Sequence, residues 1–255
     1  MLISEHALLQ YLGDGFWPFM RLTGVFLTAP VLGNSILPVP FRVLLSALVA
    51  GCLAGWGGPW PSFPSGAGAV IFSGAVQLAF GALMGLVGQI VVAGIAGAGE
   101  LASLALGINF ATASGLTTGQ ATPVLSNMFQ WVGLLVYLAL GGPFLVMEAV
   151  NRSFQTLPAG IPDALSLRAL VDYGGAALRV ALLLSLPALA AGFAMNAVIG
   201  LANTLASQLN IFSIGFPLLF LGGIWILAAS LFAVEPLAAD LLREGLALMA
   251  ALAHG

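Results

Sequence analysis

The sequence predicts an all-α, polytopic membrane-type protein built of about six long apolar helical segments arranged as hairpins. The first reason is composition: of 255 residues, 60% are hydrophobic and 6% charged, with a mean hydropathy of +1.10, whereas soluble domains carry about 25% charged residues. The second is patterning. Residues 43–99, 101–147 and 180–234 contain no Asp, Glu, Lys or Arg, and each run exceeds the roughly 20 residues that cross a bilayer. The third is punctuation, since breaks such as GGPWPSFPSGAG (57–68) and Gly141-Gly142-Pro143 divide the runs where regular structure cannot continue.

Composition also removes function classes. Lysine is absent, which excludes Walker-type phosphate binding and Schiff-base chemistry. The only histidines are His6 and His254 and the only cysteine is Cys52, so no metal ligand set, catalytic acid-base pair or intramolecular disulfide is predicted. No cofactor is expected, and no enzymatic activity. A net charge of -3 offers no basic patch for nucleic acid. Glu5 and Asp14 precede the first arginine, so the amino-terminal apolar segment is expected to be retained rather than cleaved as a signal peptide.

Taken in order, the first segment is 11–32, interrupted by Pro18 and Arg21. A charge in such a segment snorkels, pairs or serves transport, and Asp14 lies two helical turns away as a candidate partner. A second segment covers 41–56, and Trp56 and Trp60 beside it suit a membrane interface.

The third segment, 67 to about 108, is long and glycine-rich. Gly74, Gln77, Gly81, Gly85, Gly88, Gly99 and Ser103 fall on one helical face about 80° wide. Small residues there permit close helix contact, and Gln77 can hydrogen-bond across it. Gly97, Gly99 and Ala102 imitate a dinucleotide fingerprint, but an apolar helix rather than a strand precedes them. Glu100 is the only charge between Arg42 and Glu148. It is either a functional carboxylate or one hydrogen-bonded within a helix interface.

Beyond it, residues 109–123 (NFATASGLTTGQATP) are small, polar and uncharged. Irregular backbone at membrane depth is buried in protein or lines a cavity, so this loop is either a pore closure or an ordinary turn. The fourth segment, 124–150, ends at Glu148, which stands four residues before Arg152 in the favourable helical order. The polar stretch 151–179 holds three of the six arginines and leans cytoplasmic by the positive-inside rule.

Residues 180–234 supply two further segments separated near Asn210. Ser185, Gly192, Asn196, Gly200, Asn203, Ser207 and Asn210 align at helical spacing, a face for packing against another subunit or for lining an aqueous path. Residues 237–255 are predicted as an amphipathic carboxy-terminal helix carrying Asp240, Arg243 and Glu244.

Several segments resemble the FliR family of flagellar biosynthesis proteins, shared with the equivalent component of virulence type III secretion systems. The resemblance runs nearly end to end, through FWPFMRLTGVFLTAPVLG (16–33), AGELASLALGINFA (98–111), Pro123-Val124, SFQTLPAG (153–160) and QLNIFSIGFPL (208–218). The last, with Phe212, Gly215, Phe216 and Pro217, is the most specific and favours the flagellar branch. Departures are local: Phe41-Arg42, Ser114-Gly115 and Gly141-Gly142-Pro143 stand where relatives commonly carry a basic pair, Asp-Pro and Asn-Gly-His.

The resemblance implies a single export-gate domain over 1–255, in the bacterial inner membrane at the flagellar basal body. It further implies assembly with FliP-, FliQ- and FlhB-like subunits, passage of unfolded flagellar proteins, and segments buried against neighbours rather than lipid. Within that gate the loop corresponding to about Phe110–Thr122 is implied to plug the closed pore, through Phe110, Ser114, Gly115, Leu116, Thr117, Thr118, Gly119 and Gln120. The competing reading from residues alone is a stand-alone small-solute transporter using Glu100 and the Asn196/Asn203 face; it calls for internal symmetry that the two halves do not display.

Overall fold

The computed structural model describes residues 5–33, 37–54, 66–106, 124–157, 167–205, 225 and 228–254. Among them the chain is helical: α1 (Glu5–Thr28), α2 (Val39–Ala54), α3 (Ala67–Ala105), α4 (Val124–Ala139), α5 (Gly142–Thr156) and α6 (Leu167–Leu205). A 3₁₀ turn (Leu231–Ala233) then leads into α7 (Val234–His254). Prolines mark the starts. Pro40 lies in the first turn of α2 and Pro143 in that of α5, where a missing N–H costs nothing because those groups have no helical partner.

Between α4 and α5 the chain turns at Gly141, whose φ of 70° lies in the left-handed region that a residue without Cβ enters freely. The helix resumes at once, with the Leu145 amide donating to the Gly141 carbonyl at 3.1 Å. Two helices are each long and apolar enough to cross a membrane, Ala67–Ala105 and Arg168–Val198, and α4 with α5 qualify as a third only when taken together across their break. That is fewer than six among the described residues, because α1 carries Glu5, Asp14 and Arg21, α2 is short, and part of 180–234 lies outside them.

In the polar stretch 151–179 the described residues are helical up to Thr156, where α5 ends, and again from Leu167, with Arg168, Asp172 and Arg179 on the first turns of α6. Of α3, 39 residues make a helix about 58 Å long at 1.5 Å per residue, nearly twice the roughly 30 Å of bilayer hydrocarbon.

The described residues form two compact units. One comprises α1, α2, α3 to Ile90, α5, α6 to Tyr173 and α7 from Leu242; Trp17, Leu22, Phe80, Met84, Val87, Val150, Phe154 and Met249 are buried in it. The other comprises α3 from Val91, α4, α6 from Gly174 and α7 to Leu241, around Ile95, Ala98, Ala102, Phe129, Tyr137, Leu184, Ala188 and Leu241.

Candidate functional site

In the first unit α1 lies directly on the glycine face of α3. A methyl group built on Gly81 would land on the carbonyl oxygen of Arg21, and one on Gly24 on that of Leu78. Only hydrogen fits at these two positions, and the resulting approach lets α1 bond to α3 itself: Thr28 Oγ1 donates to the Ala82 carbonyl at 2.8 Å. Gly85 lies against Val25 and Thr28, and Gly74 against Phe16 and Met20. On the other side of α1, Thr23 and Ser46 share a hydroxyl-hydroxyl hydrogen bond of 2.7 Å with α2.

Arg21 occupies the centre of this crossing, with no exposed surface. Its Nε donates to Gln77 Oε1 at 2.8 Å and its Nη2 to the same oxygen. Nη1 donates to Ser153 Oγ at 2.8 Å, and Nη2 to the Leu157 carbonyl at 2.7 Å. The guanidinium lies over the rings of Phe80, at 4.9 Å, and Phe154, at 4.3 Å. Ser153 in turn donates to the Val150 carbonyl at 2.6 Å, so α1, α3 and the end of α5 converge on one cation.

These partners are neutral, and Asp14 is not among them. A delocalised planar cation suits such a place, since it stacks on aromatic faces and its hydration is weak. The carbonyl of Leu157 at the carboxy end of α5 adds the negative pole of a helix. The arrangement can hold helices in register; among the described residues it contains no carboxylate or imidazole that could exchange a proton with substrate.

The residues singled out by sequence distribute unevenly. Gln77, Gly81, Gly85 and Gly88 are buried on α3, the first three in the crossing just described. Glu100 is half-buried farther along the same helix, in the other unit. Asn196 and Gly200 are exposed on α6, and a methyl on Gly200 would meet nothing within 4 Å. Asn203 belongs to α6, but its side chain is outside the description. Phe110, Ser114, Gly115, Leu116, Thr117, Thr118, Gly119, Gln120, Ser207, Phe212, Gly215, Phe216 and Pro217 lie outside the described residues. No group of three or more His, Cys, Asp or Glu among the described residues could hold a metal ion.

Ser153 and the Leu157 carbonyl were not anticipated as partners of Arg21. The available signal was the segment SFQTLPAG itself, whose first and fifth residues now prove to meet the arginine of FWPFMRLTGVF.

Residues 12–245 match the family described as Bacterial export proteins, family 1. The chain is 31% identical over 250 residues to the Flagellar biosynthetic protein FliR of Pectobacterium carotovorum subsp. carotovorum, covering 95% of this chain and 94% of that one. It is 28% identical over 249 residues to the protein of the same name in Escherichia coli (strain K12), covering 95% and 93%. For the one in Bacillus subtilis (strain 168) the figures are 23% over 206 residues, covering 78% and 79%. The chain belongs to the FliR family of bacterial export proteins.

Proposed function

We propose that this chain is a non-enzymatic core subunit of the flagellar type III export gate, helping to form and close the channel through which unfolded flagellar proteins leave the cell. The observation that carries the reading is similarity over 95% of the chain to flagellar biosynthetic FliR proteins. A site for one bound ligand would not serve diverse polypeptides; long helices with outward apolar faces would, because they assemble into a channel wall. Phe41, Leu44 and Leu48 on α2, Trp131 and Leu135 on α4 and Leu178, Leu186 and Phe193 on α6 are such exposed residues. Lipid does not require the length of α3, and neighbouring subunits would cover part of it.

In this reading the subunit sits in the inner membrane at the basal body with FliP-, FliQ- and FlhB-like neighbours, and energy for transport comes from partners and the proton gradient. The loop 109–123 closes the channel as a small-residue plug, and the Phe212–Pro217 motif belongs to the same assembly.

Purification of the tagged chain in mild detergent from its native cells, with mass spectrometry of co-purifying proteins, tests the reading. Recovery of FliP-, FliQ- and FlhB-like chains in fixed ratio supports it, whereas a clean monomer from cells that contain those proteins overturns it in favour of a stand-alone transporter. Deleting Ser114–Gln120 is expected to leave that recovery intact and raise small-solute leakage across the membrane; unchanged leakage removes the plug.

A further inference from the structure

From Val91 onward α3 has two unlike sides. Val91, Ile95, Ala98, Ala102 and Leu106 are buried. Diametrically opposite, Ala93, Gly97, Glu100 and Leu104 fall within about 60° of one another at 100° per residue. Ala93 and Leu104 on this strip are exposed and Gly97 and Glu100 half-buried. Glu100 makes no hydrogen bond or ion pair with a described residue. A lone carboxylate on the outward side of an apolar helix is expensive in a low-dielectric setting unless a cation or donor meets it.

Among the described residues no cation meets Glu100. The chain has no lysine, and its six arginines all lie among the described residues. Arg21 is held by Gln77, Ser153 and Leu157, Arg42 donates to the Leu37 carbonyl, Arg152 pairs with Glu148, and Arg243 is engaged elsewhere. Arg168 and Arg179 are exposed on α6 and do not pair with Glu100. None of the six arginines is thus placed to neutralise Glu100. Gly97 already meets Ala181 of α6, but the exposed Ala93 on the same side as Glu100 is small enough for a helix to come close, an approach that a hydrated ion does not need.

We infer that the side of α3 carrying Ala93, Glu100 and Leu104 is a docking site for a helix of another protein chain that presents a lysine or arginine to Glu100. This rests on the export-gate reading, in which other chains surround this one, and deepens it by naming the chemistry of one contact. The pair forms away from bulk water, so its loss is felt as weakened association rather than as lost folding.

The test places a photo-activatable benzoylphenylalanine at Leu104 in the full chain, irradiates native cells, and isolates the complex in mild detergent. The expected product is a cross-link to one other chain, mapping within about two helical turns of a lysine or arginine. Its yield should fall at least fivefold with Glu100→Arg and about threefold with Glu100→Gln, and should recover when Glu100→Arg is combined with a glutamate at the mapped basic residue. Recovery by double reversal cannot come from a misfolded chain. Cross-links confined to this chain or to lipid, or a yield within twofold of the unsubstituted protein in both Glu100 variants, overturn the proposal while leaving co-purification and the export-gate reading untouched. Absence of any co-purifying chain overturns both.

Discussion

The two compact units solve the same packing problem by different means. In the first, α1, α3 and α5 meet on a buried cation with four hydrogen bonds and two aromatic faces. In the second, α3 meets α4 and α6 through small residues: Gly99 against Leu125, Ser126 and Phe129, Gly94 against Ala177, Gly97 against Ala181, and Gly192 against Ala105. A side-chain hydrogen bond from Ser126 Oγ to the Ala96 carbonyl, at 3.3 Å, accompanies them. A ladder of glycine and alanine presents nearly the same surface after a one-turn shift, and a guanidinium with designated acceptors does not. The first unit is thus specified in register chiefly by polar chemistry, and the second chiefly by shape.

Arg21→Met tests this contrast most severely. It leaves Gln77 Oε1 and the Leu157 carbonyl buried without their donor, each costing about 1–3 kcal/mol, so a loss on the order of 3–5 kcal/mol is expected in detergent denaturation, read as a lowered midpoint. Arg21→Lys keeps the charge and loses the fork and the ring stacking, and should recover less than half of the loss. If methionine costs under about 1 kcal/mol, the cation does not specify the crossing.

Gly81→Ala comes next. Its methyl has only the rigid Arg21 backbone to displace, and overpacking of this kind costs about 1–3 kcal/mol. In the second unit Gly99→Ala, with the Leu125 carbonyl at 2.7 Å and Phe129 Cβ at 2.9 Å, should cost about 1 kcal/mol, because an adjustable small-residue contact can slide. Equal losses in the two variants would erase the distinction between the units; thermal unfolding of both side by side decides it.

The smallest effect belongs to Glu148→Ala. The Glu148–Arg152 pair measures 2.6 Å, but its side chains are 54% and 74% exposed, and such pairs are worth about 0.3–0.5 kcal/mol. A midpoint shift within experimental error is the expected result, and a large one would place this pair in contact with another group.

The helical class was legible because uncharged runs of such length have no other stable use, and the α4–α5 break because Gly141-Gly142-Pro143 cannot continue a helix. Arg21 was legible as a residue in need of a partner. Its partners were not, because Gln77, Ser153 and Leu157 stand 56, 132 and 136 positions away and nothing in local periodicity encodes such separations. Asp14, the nearest opposite charge in sequence, was a poor guide, since stacking rings and carbonyls can satisfy a guanidinium as well as a carboxylate can. Within the polar stretch 151–179, Arg152, Arg168, Asp172 and Arg179 sit on exposed helix turns, where hydration suffices.

The distances along the chain also impose an order on biogenesis. Arg21 is translated 136 residues before the carbonyl that completes its cage, an interval of roughly 7–27 s at ribosomal speeds of about 5–20 residues per second. Throughout it the guanidinium has to stay where water or lipid headgroups can reach it. α1 is therefore made well before it can be fully seated, and its crossing with α3 is completed only when the end of α5 arrives.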